Sequence, residues 1–571
     1  MERKYIQNLY KDYMFPPDRI PLIVSNTILA GYFFGESGLA VVSLFMPIYF
    51  IFETLGYWIN YGGLIKTLKE ISENQTLRAR SYSKLSLTLS ILVGIITAAL
   101  VLIFFNNLLE ILEIPESLKL LAQDYGKPLV VAGFLLMLCS YAWQFVKIIG
   151  LQKRVKRIYV LIMVVNVLAC VVCEKIFAFG IISLVIGMIL AEIFILAFTG
   201  VQLFKNFGGN LFSEIKEPLN STWNLIYAGS SPSAGKFYSL FQVYLFNVFF
   251  LHFYGETGVA VFAVLQVAIR ICRLHSQVTW QPLPPLFAME FGDKNISSMS
   301  LIFKTALIRA AIFTGLPAVV IFSGADFLAA QSSLNPENYN FAAAALSIYS
   351  LSVILAGINS IFITIYLNNH KILSNVAEFT RSVVAIIIFL KFAAPEYVFW
   401  SFLFAEVVAS MILLVGTILI KQFGHFKTPL LLREEFFKPS LFIVVDRKAG
   451  ITSEQGDRLK TFLAPEPLKF LSDWLNLLKK FSDTGKNDFL AVHIFREDDR
   501  LRLTLRGTGN LFDYAANPDA ISLIKSCAAI EKYKFNSTLG MNNLYLQIID
   551  NFPRNISNTS NVAFTIAKKI L

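Results

Sequence analysis

Two runs of polar side chains lie inside long apolar segments of this sequence, and their spacing places each run on one side of a helix. The first run is Tyr49, Glu53, Tyr57 and Asn60. The second run is Gln266, Arg270, Arg273 and Gln277. Steps of three or four residues keep side chains on one helical face. A carboxylate in such a place can carry a proton, and a guanidinium can bind an anionic group through two hydrogen bonds. Because ionisable groups inside a membrane are costly and usually functional, both runs are candidate sites.

An internal repeat makes the two runs comparable. The sequence FFGESGLAVV at residues 33–42 returns as FYGETGVAVF at residues 253–262, with an offset of 220 residues and six identical positions. Under that offset Glu53 corresponds to Arg273. Two hypotheses follow. The two charges form a salt bridge that locks two halves of the protein together, or they line a cavity and take part in ion coupling or substrate binding.

Other polar residues in apolar segments favour structural roles. Glu192 and Glu406 lie in similar sequences, ILAEIFIL and LFAEVVAS, which favours a hydrogen bond from each to a neighbouring helix. Cys170 and Cys173 are expected to be small buried residues. His275 is expected to be a polar neighbour of Arg273 rather than a metal ligand. The sequence has no phosphate-binding loop, nucleophile elbow or zinc-protease motif, which argues against an enzyme.

The composition indicates an integral membrane protein. Hydrophobic residues make up 55% of the 571 residues and charged residues only 16%. A bilayer core about 30 Å thick is crossed by roughly 20 apolar helical residues. About twelve segments of this kind occur. They lie near residues 20–34, 39–59, 85–105, 129–150, 158–179, 181–204, 237–253, 257–280, 305–322, 341–366, 382–394 and 398–420.

The repeat predicts an all-α polytopic membrane region made of two lobes of six helices each. We expect an N-terminal lobe at 1–220 and a C-terminal lobe at 221–425. An even number of spans returns the chain to the same side, so the lobes share one orientation, with a substrate site expected between them. Lys and Arg crowd alternate connections, such as 66–84 and 153–157. The positive-inside rule therefore predicts both termini in the cytoplasm.

The last part of the chain is richer in charged residues and has the composition of a soluble domain. We expect a linker at 426–439 and a cytoplasmic α/β domain, an α+β sandwich, at 440–571. The sequences LFIVVD, FLAVHIF and LRLTL predict strands. The sequences PLKFLSDWLNLLKKF and DAISLIKSCAAIEKY predict amphipathic helices.

The membrane region resembles the multidrug and toxic compound extrusion (MATE) family. The resemblance rests on IPLIVSN followed by GYFFGESGLAVVSLFMPI, on Gly62–Gly63, on Asn166 and on QPLPPLFAMEFGDKN at 281–295. It implies a two-lobed exporter of the bacterial inner membrane that is driven by H⁺ or Na⁺ and needs no other cofactor. Members of the family often have an aspartate where this chain has Asn26, and another where it has Cys170. Coupling through those positions is therefore in question.

The tail resembles the histidine-kinase-like ATPase fold of anti-sigma-factor kinases. In LRGTGNLFDY, Gly509 and Asp513 fit the family's motif, whereas Gly507 stands where an adenine-binding aspartate is expected. Asn476 fits the Mg²⁺-binding asparagine, but Ser472 stands where the catalytic acid is expected. The resemblance therefore implies a degenerate nucleotide site and a regulatory or docking domain, with a cytoplasmic protein as its partner.

Three functions fit these features. The first is an ion-coupled exporter that works by alternating access, with an anionic or zwitterionic small molecule as substrate. The second is a flippase for a lipid-linked anionic substrate. The third is a transporter-derived membrane sensor or scaffold that acts through the tail. All three place the protein in a lipid bilayer, and the positive charge is explained by topology rather than by nucleic-acid binding.

Overall fold

The computed structural model describes most of the chain, and the structural statements below concern the residues that it describes. These are residues 2, 4–7, 20–72, 76–112, 114–148, 152–207, 219–280, 282–423, 430–432, 438, 440–446, 450–480, 489–497, 500–507, 518–538 and 541–549. They form two compact units. The membrane unit contains residues 15–281 and 309–415. The composite unit contains residues 1–14, 282–308 and 416–571.

Helices account for nearly all of the chain before residue 424. Those up to residue 280 are α1 Ile20–Ser72, α2 Thr76–Ile103, α3 Phe105–Ile111, α4 Glu116–Ile148, α5 Gln152–Lys175, α6 Ile182–Phe207 and α7 Leu219–Trp280. Those after it are α8 Leu283–Gly292, α9 Ile296–Ser323, α10 Ala325–Ala330, α11 Tyr339–Asn369, α12 Lys371–Phe379, α13 Ala385–Phe392 and α14 Trp400–Phe423. A π-helical turn, Thr380–Val384, joins α12 to α13.

The repeated decapeptide forms the same hairpin turn in α1 and α7. Gly35 has φ 61° and ψ −148°, and Gly255 has φ 62° and ψ −151°. A Cβ on Gly38 would lie 2.7 Å from the carbonyl oxygen of Ala30. Residues eight apart in a straight helix are about 12 Å apart, so the chain must reverse between them. Gly258 has the same relation to Phe250, at 2.9 Å. The two glycines of each copy therefore supply the turn and the close approach.

The helices differ in number and length from the predicted spans. Within the described ranges, nine helices are long and apolar enough to cross a membrane. Two of these are the apolar parts of α1 and α7, which the glycine hairpins divide into two segments each. The helix α5 covers most of the predicted fifth span, but the total of twelve stays a prediction. Several helices extend past the apolar windows, as α7 begins at Leu219, because a helix can continue through polar residues outside the bilayer core.

The composite unit contains a five-stranded antiparallel sheet. Its strands are β1 Ser440–Asp446, β2 Phe489–Glu497, β3 Arg500–Gly507, β4 Ile530–Thr538 and β5 Met541–Ile549, in the order β1-β2-β3-β5-β4. Its helices are α15 Ser453–Lys460, α16 Pro465–Lys480 and α17 Pro518–Ser526. Alternate strand residues such as Leu503 and Leu546 pack with Trp474 in one apolar core.

The structure confirms the strands predicted in the tail and the first of its two helices. The prediction for DAISLIKSCAAIEKY is wrong in its second half. The helix α17 ends at Ser526, and the residues from Ile530 onward form β4. The sequence IEKYKF alternates apolar and charged side chains, and this period of two is the strand pattern.

Candidate substrate and ion sites

The side chains of the first polar run contact different helices. Tyr49 donates its hydroxyl to Oε1 of Glu192 at 3.0 Å, and Asn60 donates to the carbonyl oxygen of Met137 at 3.3 Å. Glu53 and Tyr57 instead face Lys236 of α7. At 3.6 residues per turn, Asn60 lies only about 20° from Tyr49 around the helix, whereas Tyr57 lies about 80° away. The run therefore covers two adjacent faces.

Glu53 forms its salt bridge with Lys236, which corrects the predicted pairing with Arg273. Among the described residues Nζ of Lys236 pairs with Oε1 of Glu53 and lies 5.0 Å from the centre of the Tyr57 ring. Arg273 is exposed instead. The hypothesis of a salt bridge between the lobes thus holds for Glu53, which lies on α1, with a different partner on α7.

The second polar run contributes to a hydrogen-bonded chain between α1 and α7. Oγ of Ser43 donates to Oδ1 of Asn247 at 2.8 Å. Gln266 donates its amide to Oγ of Ser43 at 3.0 Å and accepts from Nη2 of Arg270 at 3.4 Å. Because Ser43 lies in the N-terminal lobe and the other residues in the C-terminal lobe, this chain joins the two lobes.

Arg270 makes its direct contacts on α1 with neutral side chains, and the carboxylate of Glu53 acts on it electrostatically from a longer distance. Its guanidinium lies 4.7 Å from the centre of the Phe50 ring and 3.9 Å from Sδ of Met46. Within the described part of the chain it has no carboxylate within salt-bridge distance. Gln277, at the end of the run, is buried, whereas Arg273 is exposed, so the run does not act as one continuous surface.

Asn26 and Asn166 lie together in the structure. Nδ2 of Asn166 donates to Oδ1 of Asn26 at 2.8 Å, and Nδ2 of Asn26 donates to the carbonyl oxygen of Leu184 at 3.1 Å. The thiol of Cys170 lies 3.8 Å from Oδ1 of Asn26. All three are fully buried or nearly so. The cluster is neutral and its amides are paired within it, which describes a packed contact between helices.

Glu192 and Glu406 both bond to neighbouring helices, as the repeated sequence around them predicts. Glu192 accepts from Tyr49 of α1. Glu406 accepts from Nδ2 of Asn359 of α11 at 2.8 Å. Glu406 also has a cation beside it, since Nη1 of Arg381 lies 3.6 Å from its Oε1.

Two charges beside Glu406 in the C-terminal lobe were not predicted from the sequence. Arg381 pairs with Oε2 of Glu378 at 2.6 Å as well as with Glu406, and all three side chains are largely buried. Arg381 lies in the π-helical turn, and π turns inside α-helices are frequent at functional sites. Glu378 also faces α7, since a Cβ on Gly235 would meet its Oε1 at 3.3 Å.

The missed residues share a position in the sequence. Lys236 precedes the predicted seventh span by one residue, and Glu378 and Arg381 precede the predicted eleventh span by four residues and one residue. Windows chosen for apolar residues exclude charges at their edges. Extending each window by one helical turn would have found all three.

The predicted nucleotide residues of the tail are only partly described. Asn476 is exposed on α16, as is Ser472 one turn before it. Gly507 ends β3, where it lies opposite Leu490 of β2 and Asn542 of β5. Gly509 and Asp513 lie outside the described residues. The degenerate nucleotide site therefore stays a prediction. No group of three or more His, Cys, Asp or Glu residues in the described ranges is arranged to hold a metal ion.

Comparisons with known proteins found matches to the helical part of the chain. The family described as MatE matches residues 23–172. An inward-facing multidrug resistance MATE family transporter of the MOP superfamily has a TM-score of 0.65 and 16% identity, covering 75% of this chain and 100% of its own. An outward-facing structure of the same description has a TM-score of 0.59 and 17% identity, covering 74% and 97%.

A third similar structure is that of a bacterial transporter. The Vibrio cholerae MATE transporter VcmN in its bent form has a TM-score of 0.56 and 15% identity, covering 73% of this chain and 98% of its own. The search of curated proteins gave no match. At these identities the structural likeness shows the fold. MATE family members are transporters and not enzymes. This chain thus carries a MatE domain at residues 23–172 within a membrane unit that has the fold of MATE transporters.

Proposed function

We propose that this protein is a secondary active exporter that works by alternating access between its two lobes. The observation that carries the proposal is the polar contact between α1 and α7. It contains the Glu53–Lys236 salt bridge and the chain from Ser43 through Gln266 to Arg270. When the lobes separate, polar side chains at their interface can form hydrogen bonds with water or substrate in place of the bonds they formed with each other. A purely apolar interface would provide no such bonds for a polar substrate.

The proposed coupling site is the cluster of Glu378, Arg381 and Glu406. Two carboxylates share one guanidinium, so one negative charge remains for a proton or a sodium ion to neutralise. Two nearby carboxylates that compete for one cation favour protonation of one of them. Asn26 and Cys170 offer no carboxylate at the places where the family often has one. The coupling ion, H⁺ or Na⁺, is thus assigned to the C-terminal lobe.

The proposed substrate is anionic or zwitterionic. Arg270 lies between the lobes with an amide, a thioether and an aromatic ring as its neighbours. An uncompensated cation at the bilayer centre costs roughly 2.5–3.5 kcal/mol on insertion scales. A carboxylate or phosphate on the substrate would lower that cost and bind bidentately. A lipid-linked anion would meet the same guanidinium, so flippase activity is the second candidate.

Transport in proteoliposomes tests these assignments. The purified protein is given a panel of organic anions, organic cations and lipid-linked anions, with and without an inward proton or sodium gradient. We expect gradient-dependent movement of an anion, and at least a tenfold loss of its transport in Arg270→Gln. Arg273→Gln is the matched control, since Arg273 is exposed on the same helix. Movement of organic cations by both Arg270→Gln and the parent would contradict the substrate assignment.

The proposed orientation places both termini in the cytoplasm. It rests on the Lys and Arg residues of alternate connections. In intact bacterial cells an impermeant thiol reagent should label Ser332→Cys and leave Ser72→Cys unlabelled. Labelling of Ser72→Cys alone would reverse the orientation.

A further inference from the structure

The sheet of the composite unit is buried on both faces. One face packs on the apolar core that contains Trp474 of α16. The opposite face carries polar residues, and His493, Thr504 and Arg506 are only 4%, 2% and 3% exposed. An antiparallel sheet in a small domain commonly leaves one face to solvent. Burial of a polar second face therefore indicates that another part of the molecule covers it.

The covering segment includes α8 and the residues that follow it. Nη1 of Arg506 donates to Oε1 of Glu290, and Nη2 donates to Oδ2 of Asp293. Glu290 is completely buried and Asp293 nearly so. Oε2 of Glu290 also accepts from Nδ2 of Asn295 at 2.9 Å. One arginine of the tail thus holds two carboxylates that lie more than 200 residues earlier in the chain.

Neighbouring contacts extend this docking face. Lys294 lies over the Phe495 ring, with its Nζ 5.3 Å from the ring centre. Tyr5, from the beginning of the chain, is fully buried and its ring centre lies 6.3 Å from that of Phe442. Phe442 lies opposite His493 in the sheet register. Three distant parts of the sequence therefore meet on one face of the sheet.

On this face of the sheet, Arg506 is charged and His493 is neutral. Burial, together with Arg506 and Arg502, lowers the pKa of His493 to about 3, so this imidazole is neutral at physiological pH. The carboxylates of Glu290 and Asp293 raise the pKa of Arg506, which stays charged. A neutral histidine adds no positive charge beside the arginines that attract the two acids.

We propose that the tail is a clamp whose docking face permanently holds residues 283–295 of this same chain. The occupant is specified by charge, since one buried guanidinium forms ion pairs with two buried carboxylates. The held segment follows α7 directly in the chain, since only residues 281 and 282 separate α7 from α8. A nucleotide or a partner protein must then use a different surface of the tail.

Release of the tail after cleavage of its linker tests the clamp. A specific protease site is inserted between residues 426 and 439 of the full-length protein in membranes, and the amount of fragment 440–571 released after cleavage is measured. We expect the parent fragment to stay bound through a 1 M salt wash, because buried ion pairs are screened far less than exposed ones.

Two variants break the ion pairs from opposite sides. Arg506→Met and the double variant Glu290→Gln/Asp293→Asn should each release at least tenfold more fragment, because removing one partner strands a buried charge or removes its attraction. Arg500→Met is the matched control and should behave like the parent. Arg500 lies on the same strand, is 53% exposed and pairs with Glu531 at 3.2 Å.

The double variant leaves the tail sequence unchanged, so its released fragment should remain folded and protease-resistant even if Arg506→Met does not fold. A bifunctional thiol cross-linker with a long spacer should join Lys294→Cys to Phe495→Cys in the uncleaved protein and retain the fragment, since the two native side chains are in contact. Release of the parent fragment under salt, retention of the fragment in the double variant, or failure of the cross-link to form would each overturn the proposal.

Discussion

The fifth span of the N-terminal lobe and the eleventh span of the C-terminal lobe occupy corresponding places but carry opposite chemistry. Glu192 and Glu406 are 214 residues apart within matching sequences. The same offset relates residues 166–170 to residues 380–384. The first stretch holds Asn166 and Cys170 in a regular helix, and the second is the π-helical turn with Arg381.

The two lobes therefore share a fold but differ in the charged residues at corresponding positions. In the N-terminal lobe, Asn26 and Asn166 pair by amide hydrogen bonds, with the thiol of Cys170 and no carboxylate in the cluster. In the C-terminal lobe, Arg381 lies between two carboxylates. A neutral, closed network stabilises helix packing, whereas a charged and unbalanced one can change its protonation. Any ion coupling is therefore expected to be asymmetric between the lobes.

The largest expected effect comes from removing the cation of the charged cluster. In Arg381→Met the carboxylates of Glu378 and Glu406 lose their buried partner, and breaking a buried ion pair in this way costs about 3–5 kcal/mol. Thermal unfolding in detergent should show a large loss of stability. The corresponding change in the other lobe, Asn166→Leu, leaves amide and hydroxyl groups unpaired, at about 1–3 kcal/mol. Equal losses in the two variants would contradict the asymmetry.

The next effect concerns coupling. Glu378→Gln and Glu406→Gln keep the shape of the side chain but cannot bind a proton in this pH range, so gradient-driven transport should fall by about tenfold or more, equivalent to about 1.4 kcal/mol. Glu192→Gln is the control, because its amide oxygen can still accept from Tyr49. Uptake is measured in proteoliposomes with and without a gradient. Loss of gradient dependence in Glu192→Gln alone would move the coupling site to the N-terminal lobe.

The sequence predicted the parts of this comparison that depend on local pattern. Apolar windows located the helices, and the matching sequences around Glu192 and Glu406 predicted their similar structural bonds. The charged cluster was not predicted because Glu378 and Arg381 lie just outside an apolar window. Glu53 pairs with Lys236 because of how α1 and α7 are rotated about their axes relative to each other. Helix periodicity alone does not determine that rotation. Contacts such as Arg506–Glu290 join segments that share no local pattern.

A third effect should be the same in both lobes, because the hairpins are alike. Gly38→Ala and Gly258→Ala place a Cβ within 3 Å of a backbone carbonyl oxygen, and such overpacking costs about 1–3 kcal/mol. Gly200→Ala and Gly315→Ala are controls, one on α6 and one on α9, with no atom within 4 Å of the new Cβ. They should be neutral or stabilising by about 0.5–1 kcal/mol, since alanine is the better helix former. Unequal losses at Gly38 and Gly258 would show that the two hairpins differ.

The smallest effect concerns the acids of the two hairpins, which are equivalent in sequence but not in contacts. Glu36 accepts from the backbone N–H of Asn335 at 2.7 Å, from Nδ2 of Asn335 at 3.0 Å and from Nδ2 of Asn338 at 2.8 Å. These bonds join the N-terminal lobe to the C-terminal lobe. Glu256 accepts from Oγ of Ser37 at 2.5 Å, which joins the lobes in the other direction.

Glutamine in place of either acid removes the charge and keeps one acceptor oxygen. In Glu36→Gln the new amide N–H₂ faces Nδ2 of Asn335, so one bond is lost and the contact should weaken by about 0.5–1.5 kcal/mol. In Glu256→Gln the remaining oxygen can still accept from Ser37, so the change should be smaller. We expect Glu36→Gln to increase labelling of Ser332→Cys several-fold, because the lobes separate more often near Asn335, while Glu256→Gln changes it little. A larger change in Glu256→Gln would mean that Ser37 and not Asn335 closes this end of the protein.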